Sequence, residues 1–193
     1  MTGVQTCALP ICSFWNGAER ALDVLIDLRP TNRRIQALDK GRIIDRRRYG
    51  ELGYLGVNLD PRYGGGGMSH FDAVLVLEEI ASISIAVAFP IFESCFGPCL
   101  AIAHYGSEQL KQQVLPKVCS GDTIVAVSMS EADAGSALTD LKTRARIQGD
   151  EVVINGSKRW CSGAGHSEAY LVYCRFDETP GAKGIGAVLV EKD

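Results

Sequence analysis

The feature that most constrains this sequence is a change of hydrophobic period near Gly121. Residues 18–121 repeat apolar side chains three and four positions apart, as amphipathic helices do. Residues 123–191 instead carry short β-rich runs separated by turn residues. Helices followed by strands, without alternation, indicate two domains and argue against a βαβ repeat. We therefore predict an α+β chain with an all-helical domain at 18–122 and a β-domain at 123–193.

Cap residues mark the starts of two helices in the first domain. Ser69 precedes Asp72 by three residues, which predicts a capping box, and Ser107 predicts a second N-cap. The apolar side chains after Ser69 predict a largely buried helix, and they are Phe71, Val74, Leu75, Leu77 and Ile80.

The stretch 84–104 is nearly uncharged and close to the length of a membrane span. Pro90, Glu93, Gly97 and Pro98 interrupt it, which favours a broken helix in a protein core and argues against a span. An ionisable side chain is expensive to bury without a partner. Glu93 therefore reaches the surface or a basic partner, or else lines a binding cavity.

Composition and charge exclude several classes of function. A net charge of -3 does not indicate the basic surface that a nucleic-acid-binding protein needs. Seven cysteines, an odd number without a CxxC pair, argue against a disulfide framework and favour a reduced, cytoplasmic compartment. The three histidines lack metal-ligand spacing, so we predict no metal site. The run Gly64–Gly67 lacks the Lys-Ser/Thr pair of a phosphate loop and predicts a structural turn.

The first residues stand apart from the rest of the sequence. Met1–Cys12 has a short apolar run without a basic start, which argues against a signal peptide. Its letters, MTGVQTCALPIC, resemble translated sequencing-adapter read-through. We predict that residues 1–17 form a non-native or disordered leader.

Two segments of the β-domain, 127–145 and 154–165, carry the candidate chemistry. The first offers several hydroxyls and the small residues Ala134 and Gly135, which allow a ligand to approach the backbone. The second places Trp160 near a hydroxyl, and a flat aromatic beside a polar group suits a planar heterocycle. On these features alone, a surface turn beside a core tryptophan is the simpler interpretation.

The two segments resemble the flavin-binding signatures of acyl-CoA dehydrogenases, commonly written T-E-P-x-A-G-S-D and G-x-K-x-W-I-T. The matching letters here are SEADAGSA at 130–137 and GSKRWCS at 156–162. The resemblance runs in order from about Arg20 to Asp193 and includes HYGSEQLKQQVLPKVCSGD at 104–122.

This resemblance implies that the cofactor is FAD. Ser130 stands where the family has a threonine against the flavin ring, and Ser136 stands where a serine contacts acyl-CoA or the flavin phosphate. Trp160 would pack on the flavin, and the Ser162 hydroxyl would approach its hydride-accepting nitrogen. The full predicted cofactor-binding set is Val127, Met129, Ser130, Ser136, Trp160, Cys161 and Ser162.

The chain departs from the signatures at three places. Ala132 and Asp133 replace a proline-containing pair, which frees φ at the turn, and Ala137 replaces the usual Asp. Cys161 and Ser162 replace Ile-Thr, so the hydroxyl is kept but the β-branched rotamer is not fixed. We still expect flavin to bind, because each polar role keeps a hydroxyl.

The resemblance also implies the reaction. An acyl-CoA thioester is oxidised to the 2,3-enoyl-CoA while the β-hydride passes to FAD. The base is usually a glutamate in a C-terminal helical domain, and neither Glu78 nor Glu79 matches its motif. We therefore name no catalytic residue. We expect the β-domain to be an incomplete antiparallel β-barrel. We also expect the chain to lack the C-terminal helical domain and to be inactive alone. Predicted substrate contacts are Ser136 and Glu93, the latter at the floor of the acyl cavity.

Further expectations concern partners and alternatives. The resemblance implies an electron-transfer flavoprotein-like acceptor, a homodimer or homotetramer, and a mitochondrial-matrix location if the source is eukaryotic. The same fold also hosts oxidase, desulfinase and nitroalkane chemistry. A different class of function, a non-catalytic helical interaction module that never binds flavin, also stays open.

Overall fold

The computed structural model describes residues 46–149 and 151–192. The chain divides into two compact units, Met1–Thr123 and Ile124–Asp193. The predicted leader at 1–17 lies outside the described residues, as does the predicted helical domain before residue 46.

Every regular element in the described part of the first unit is a helix, which confirms the predicted helical N-terminal domain. Ser69 accepts a hydrogen bond from the Asp72 amide while the Asp72 carboxylate accepts one from the Ser69 amide, so the capping box is present. Ser107 caps the last helix through the Leu110 amide. The helices are α1 (Arg46–Glu51), α2 (His70–Ile83), α3 (Ile85–Cys95), α4 (Pro98–Tyr105) and α5 (Glu108–Cys119).

The buried face of α2 differs from the predicted one. Ala73, Val76 and Ile80, spaced three and four apart, face the core. By contrast Phe71, Val74 and Leu75 are exposed, so the prediction that they are buried is wrong. The apolar residues of α2 cover most of its circumference, and only tertiary contact decides which stripe packs inward.

The apolar stretch 84–104 forms two helices, and the break lies at Gly97 and Pro98 as predicted, whereas Pro90 does not end a helix. α3 contains Pro90 and ends at Cys95, and α4 begins at Pro98 after Gly97. By length and composition alone, Ile85–Tyr105 could cross a membrane, but half of its apolar window is buried inside the protein. A core helix passes the same test, so this is weak evidence for a span.

The glycine run forms a structural turn, as predicted. The Gly66 amide donates to the Gly56 carbonyl at 3.0 Å, and the Met68 amide donates to the Val57 carbonyl at 3.0 Å. A Cβ at Gly65 would lie 2.3 Å from the Leu59 carbonyl oxygen. The close approach of the two backbone segments therefore requires glycine at this position.

The second unit is a partial five-stranded sheet with strands β1 (Val125–Ser128), β2 (Arg144–Gln148), β3 (Glu151–Asn155), β4 (Ala169–Arg175) and β5 (Ile185–Glu191). β2 pairs with β3 and β4 pairs with β5 in antiparallel fashion, but β1 and β2 both pair with β4 in parallel. The sheet is thus mixed, where the sequence analysis expects antiparallel strands. The hairpin of β2 and β3 supplies the crossover that a parallel pair requires.

Candidate functional site

The first signature segment begins where β1 ends. Glu131 and Ala134 form an isolated bridge, with their two amide-to-carbonyl hydrogen bonds at 3.0 and 3.3 Å. Ala132 and Asp133 are the two residues between them. The turn therefore closes without the proline that the signature carries at this place.

The Glu131 carboxylate is the anchor of this segment. Its Oε2 accepts a hydrogen bond from the Lys142 amide at 2.6 Å, and its Oε1 accepts one from the Thr143 amide at 2.9 Å. The Lys158 ammonium also donates to Oε1 at 2.8 Å. Glu131 thus ties its own turn to the start of β2 and to the second signature segment.

The environment of Glu131 favours the ionised carboxylate. Burial raises the pKa of Glu131, but the hydrogen bonds from Lys158, Lys142 and Thr143 outweigh burial and lower the pKa to about 2. The group therefore carries a full negative charge at neutral pH, opposite the Lys158 ammonium.

The second signature segment is held against the first by two further hydrogen bonds. Lys158 Nζ donates to the Met129 carbonyl at 3.0 Å, and the Arg159 amide donates to the Ser130 carbonyl at 2.8 Å. The predicted site residues Ser130 and Trp160 consequently belong to adjacent, directly bonded segments.

Glu131 and Lys158 are not among the predicted site residues. Each occupies a lettered position of a signature, the Glu of the first and the Lys of the second. These motif positions predict an ion pair, since a carboxylate and an ammonium at fixed positions of two motifs can pair with each other.

Trp160 has an unusual backbone and an exposed ring. Its φ of 59° is in the left-handed region, and Trp160 is the one non-glycine residue with positive φ within 46–149 and 151–192. The residue is 84% exposed. The interpretation of Trp160 as a core tryptophan is therefore wrong, and the ring is free to meet a ligand.

The other predicted cofactor contacts lie in the same unit with different burial. Val127, Met129, Ser130 and Cys161 are half-buried, whereas Ser136 and Ser162 are exposed. A Cβ at Gly135 would have no heavy atom within 4 Å, so the backbone there is open to a ligand. An exposed aromatic face, a neighbouring half-buried hydroxyl and an open backbone together fit a flavin.

Two cavities of the second unit lie elsewhere. One of about 510 Å³ lies along the β2–β3 hairpin, and one of about 490 Å³ lies beside Arg175. None of the predicted cofactor-binding residues lines either cavity. The predicted flavin surface is therefore an open face of this chain.

Glu93 lies in α3 of the helical unit and is 5% exposed. Its Oε2 has no hydrogen-bond partner, and no ion pair joins it to a basic side chain of the described ranges 46–149 and 151–192. Burial raises the pKa of Glu93 to about 7. The alternatives that Glu93 reaches the surface or a basic partner are therefore wrong for the described residues.

Comparison with known proteins gives two matches to domain families. Residues 28–122 match the acyl-CoA dehydrogenase N-terminal domain, and residues 126–193 match the acyl-CoA dehydrogenase middle domain.

Individual relatives agree with these matches. The chain is 38% identical over 145 residues to the mitochondrial isobutyryl-CoA dehydrogenase of Dictyostelium discoideum, covering 74% of this chain and 34% of that protein. It is 36% identical to the 3-sulfinopropanoyl-CoA desulfinase of Variovorax paradoxus, covering 74% of this chain and 36% of that protein. The chain thus spans about a third of the length of the curated relatives it matches.

A solved structure gives the same result for the fold. A glutaryl-CoA dehydrogenase from Mycobacterium smegmatis, in complex with FADH2, superimposes with a TM-score of 0.70 at 28% identity. The match covers 77% of this chain and 37% of that chain.

Proposed function

Because the chain belongs to the acyl-CoA dehydrogenase family, we propose that it forms the flavin-holding part of an enzyme that oxidises acyl-CoA thioesters to 2,3-enoyl-CoA. The observation that supports this most strongly is the hydrogen bond of 2.8 Å from the Arg159 amide to the Ser130 carbonyl. It joins the hydroxyl-bearing turn to the residue that precedes Trp160, whose ring is exposed. FAD, when bound, accepts the hydride that leaves the β-carbon of the acyl chain.

Within this proposal each polar residue has a positioning task. Trp160 offers its exposed face for stacking, and Ser130 offers a hydroxyl to the edge of the ring system. Ser162 donates toward the nitrogen that accepts the hydride, and Ser136 contacts a phosphate or the acyl-CoA. Val127, Met129 and Cys161 complete the cofactor-binding surface.

Substrate selection is assigned to Glu93. It is a buried carboxyl with an unpartnered oxygen in an otherwise uncharged helix, which supports a place at the floor of an acyl cavity. A carboxyl there would have to be desolvated by a long alkyl tail, so it would favour short or polar acyl groups. Family membership also supports an electron-transfer flavoprotein-like acceptor and a homodimeric or homotetrameric enzyme.

Desulfination is a second candidate reaction. The identity to a 3-sulfinopropanoyl-CoA desulfinase is 36%, close to the 38% for an isobutyryl-CoA dehydrogenase. Both relatives are named for an acyl-CoA substrate. A full-length protein containing this chain, given 3-sulfinopropanoyl-CoA, would release sulfite without bleaching the flavin if desulfination is the reaction.

The test of the proposed function is flavin binding followed by flavin reduction. We expect the full-length protein to purify with flavin absorbance and to lose the oxidised flavin band when an acyl-CoA is added under anaerobic conditions. A protein that takes up no FAD at saturating concentration would overturn the flavin assignment. It would favour the alternative of a non-catalytic helical module.

A further inference from the structure

We propose that the buried Glu131–Lys158 pair is a positioning device that holds Trp160 in its left-handed backbone conformation, and so presents the indole ring for the flavin. The inference rests on the proposed function for the identity of the ligand. It assigns a positioning role to two residues that the predicted cofactor-binding set does not contain.

The contacts that carry the inference lie immediately before Trp160. The Lys158 ammonium donates to the Glu131 carboxylate at 2.8 Å and to the Met129 carbonyl at 3.0 Å. The next residue, Arg159, donates its amide to the Ser130 carbonyl at 2.8 Å. The chain is thus fixed on the first signature segment up to the residue before Trp160.

The chain is also fixed after Trp160. The Ala164 amide donates to the Cys161 carbonyl at 3.0 Å, and the Ser167 amide donates to the Gly163 carbonyl at 2.9 Å. A Cβ at Gly163 would lie 2.7 Å from the Ala126 Cβ, so this turn packs directly on β1. Trp160 therefore lies between two anchored segments, and it connects them with a φ of 59°.

A positive φ is unfavourable for a residue with a side chain. A non-glycine residue in the left-handed region is disfavoured by about tenfold or more, and it persists only where the surroundings impose it. The 84% exposed ring of Trp160 makes little contact that could impose it. The contacts that impose this φ must therefore come from the backbone segments on either side of Trp160. In the preceding segment, the most buried polar contact is the one that Lys158 makes.

The inference predicts a specific coupling in flavin affinity. In Lys158→Met the left-handed conformer falls to about a tenth of the population, so the FAD dissociation constant rises about tenfold. Glycine adopts positive φ without strain, so in a Trp160→Gly background the same Lys158→Met change has an effect below about twofold. Equal effects of Lys158→Met in both backgrounds would show that the pair acts on general stability only.

A second measurement does not depend on flavin. The chain has two tryptophans, so 5-fluorotryptophan in a Trp15→Phe background reports on Trp160 alone by fluorine NMR. We expect one narrow resonance in that background and in the control Lys142→Met, whose ammonium is exposed and paired with Asp133. Lys158→Met and the isosteric Glu131→Gln should each broaden or split the resonance.

The outcomes separate the two proposals. An unchanged resonance in folded Lys158→Met and Glu131→Gln overturns the positioning role, whether or not FAD binds. A chain that binds no FAD, yet shows the split resonance, overturns the proposed function and leaves the positioning of Trp160 supported.

Discussion

Lys158 Nζ lies 2.8 Å from Glu131 Oε1, and only 11% and 8% of the two side chains are exposed. The two residues are 27 positions apart in the sequence. Their ion pair joins the turn after β1 to the segment that carries Trp160. The remaining oxygen of Glu131 is also satisfied, by the Lys142 amide, so the buried charge has the hydrogen bonds that its desolvation requires.

Removing the ammonium should be costly. In Lys158→Met the Glu131 carboxylate stays buried without its counter-ion, and we expect the free energy of unfolding of the second unit to fall by about 3–5 kcal/mol. Urea unfolding near neutral pH, followed by the fluorine resonance of 5-fluorotryptophan at Trp160 in the Trp15→Phe background, measures this change.

The matched control is Lys142→Met. The Lys142–Asp133 pair has the same chemistry, but its side chains are 74% and 73% exposed. Solvent screens an exposed pair, so the control should lose far less stability. Similar losses in the two variants would contradict the importance of burial.

The contribution of Glu131 to the free energy of unfolding should fall at acid pH. Its pKa is about 2 in the folded protein, against an ordinary value of 4.5. The stabilisation is therefore fully present above about pH 4.5 and is lost as the pH falls toward about 2. Its size is on the order of 3 kcal/mol. Glu131→Gln should be less stable at neutral pH and should lose this acid-side slope, and a wild-type slope retained in the variant would assign the slope elsewhere.

Local signals predicted much of the helical unit. Ser69, Asp72 and Ser107 act within one helical turn, so their capping roles can be read directly from the sequence. The break near Gly97 is similarly local, because proline and glycine act on their own backbone. The exposure of Phe71 could not be predicted, since it depends on which stripe of α2 meets its tertiary neighbours.

The candidate site was predictable in part. The two signature segments can be recognised by their resemblance to the family's flavin-binding signatures, and the structure joins them through Ser130 and Arg159. The positive φ and the exposure of Trp160 were not predictable, because both depend on tertiary structure, and the contact between Glu131 and Lys158 spans 27 positions. The parallel pairing of β1 with β4 was missed for the same reason, as its partners are distant in sequence.

Mutation of the flavin surface should separate binding from chemistry. In the full-length protein, Trp160→Ala removes the stacking face and should lower FAD occupancy markedly. Ser162→Ala should bind FAD nearly normally but slow flavin reduction by about tenfold or more, because one donor to the reacting edge is lost. Ser157→Ala, which removes an exposed hydroxyl outside the predicted set, is the control. Normal flavin content and normal reduction rates in both variants would reject this placement.

Replacing Glu93 should change substrate preference. If Glu93 lines the acyl cavity, Glu93→Leu removes the desolvation cost of a carboxyl and should favour longer, more apolar acyl-CoAs. We expect the ratio of kcat/KM values to shift by about tenfold, which corresponds to roughly 1–3 kcal/mol. Glu93→Gln, which keeps a polar group of similar size, should shift it less. A chain-length profile that does not move in Glu93→Leu would place Glu93 outside the cavity.

Glu93 should make the stability of the helical unit depend on pH, in the direction opposite to the pH dependence that Glu131 gives the second unit. Burial raises the pKa of Glu93 to about 7 from an ordinary value of 4.5. The unfolded chain loses this proton first, so the free energy of unfolding falls as the pH rises from about 4.5 to about 7. The loss is on the order of 3 kcal/mol. The neighbouring Cys99 thiol adds no slope there, because burial raises its pKa well above 9.0. Urea unfolding followed by far-UV circular dichroism should show this slope in the wild type and a flat profile in Glu93→Gln. A slope of equal size in both proteins would mean that Glu93 ionises in the folded state as readily as in water.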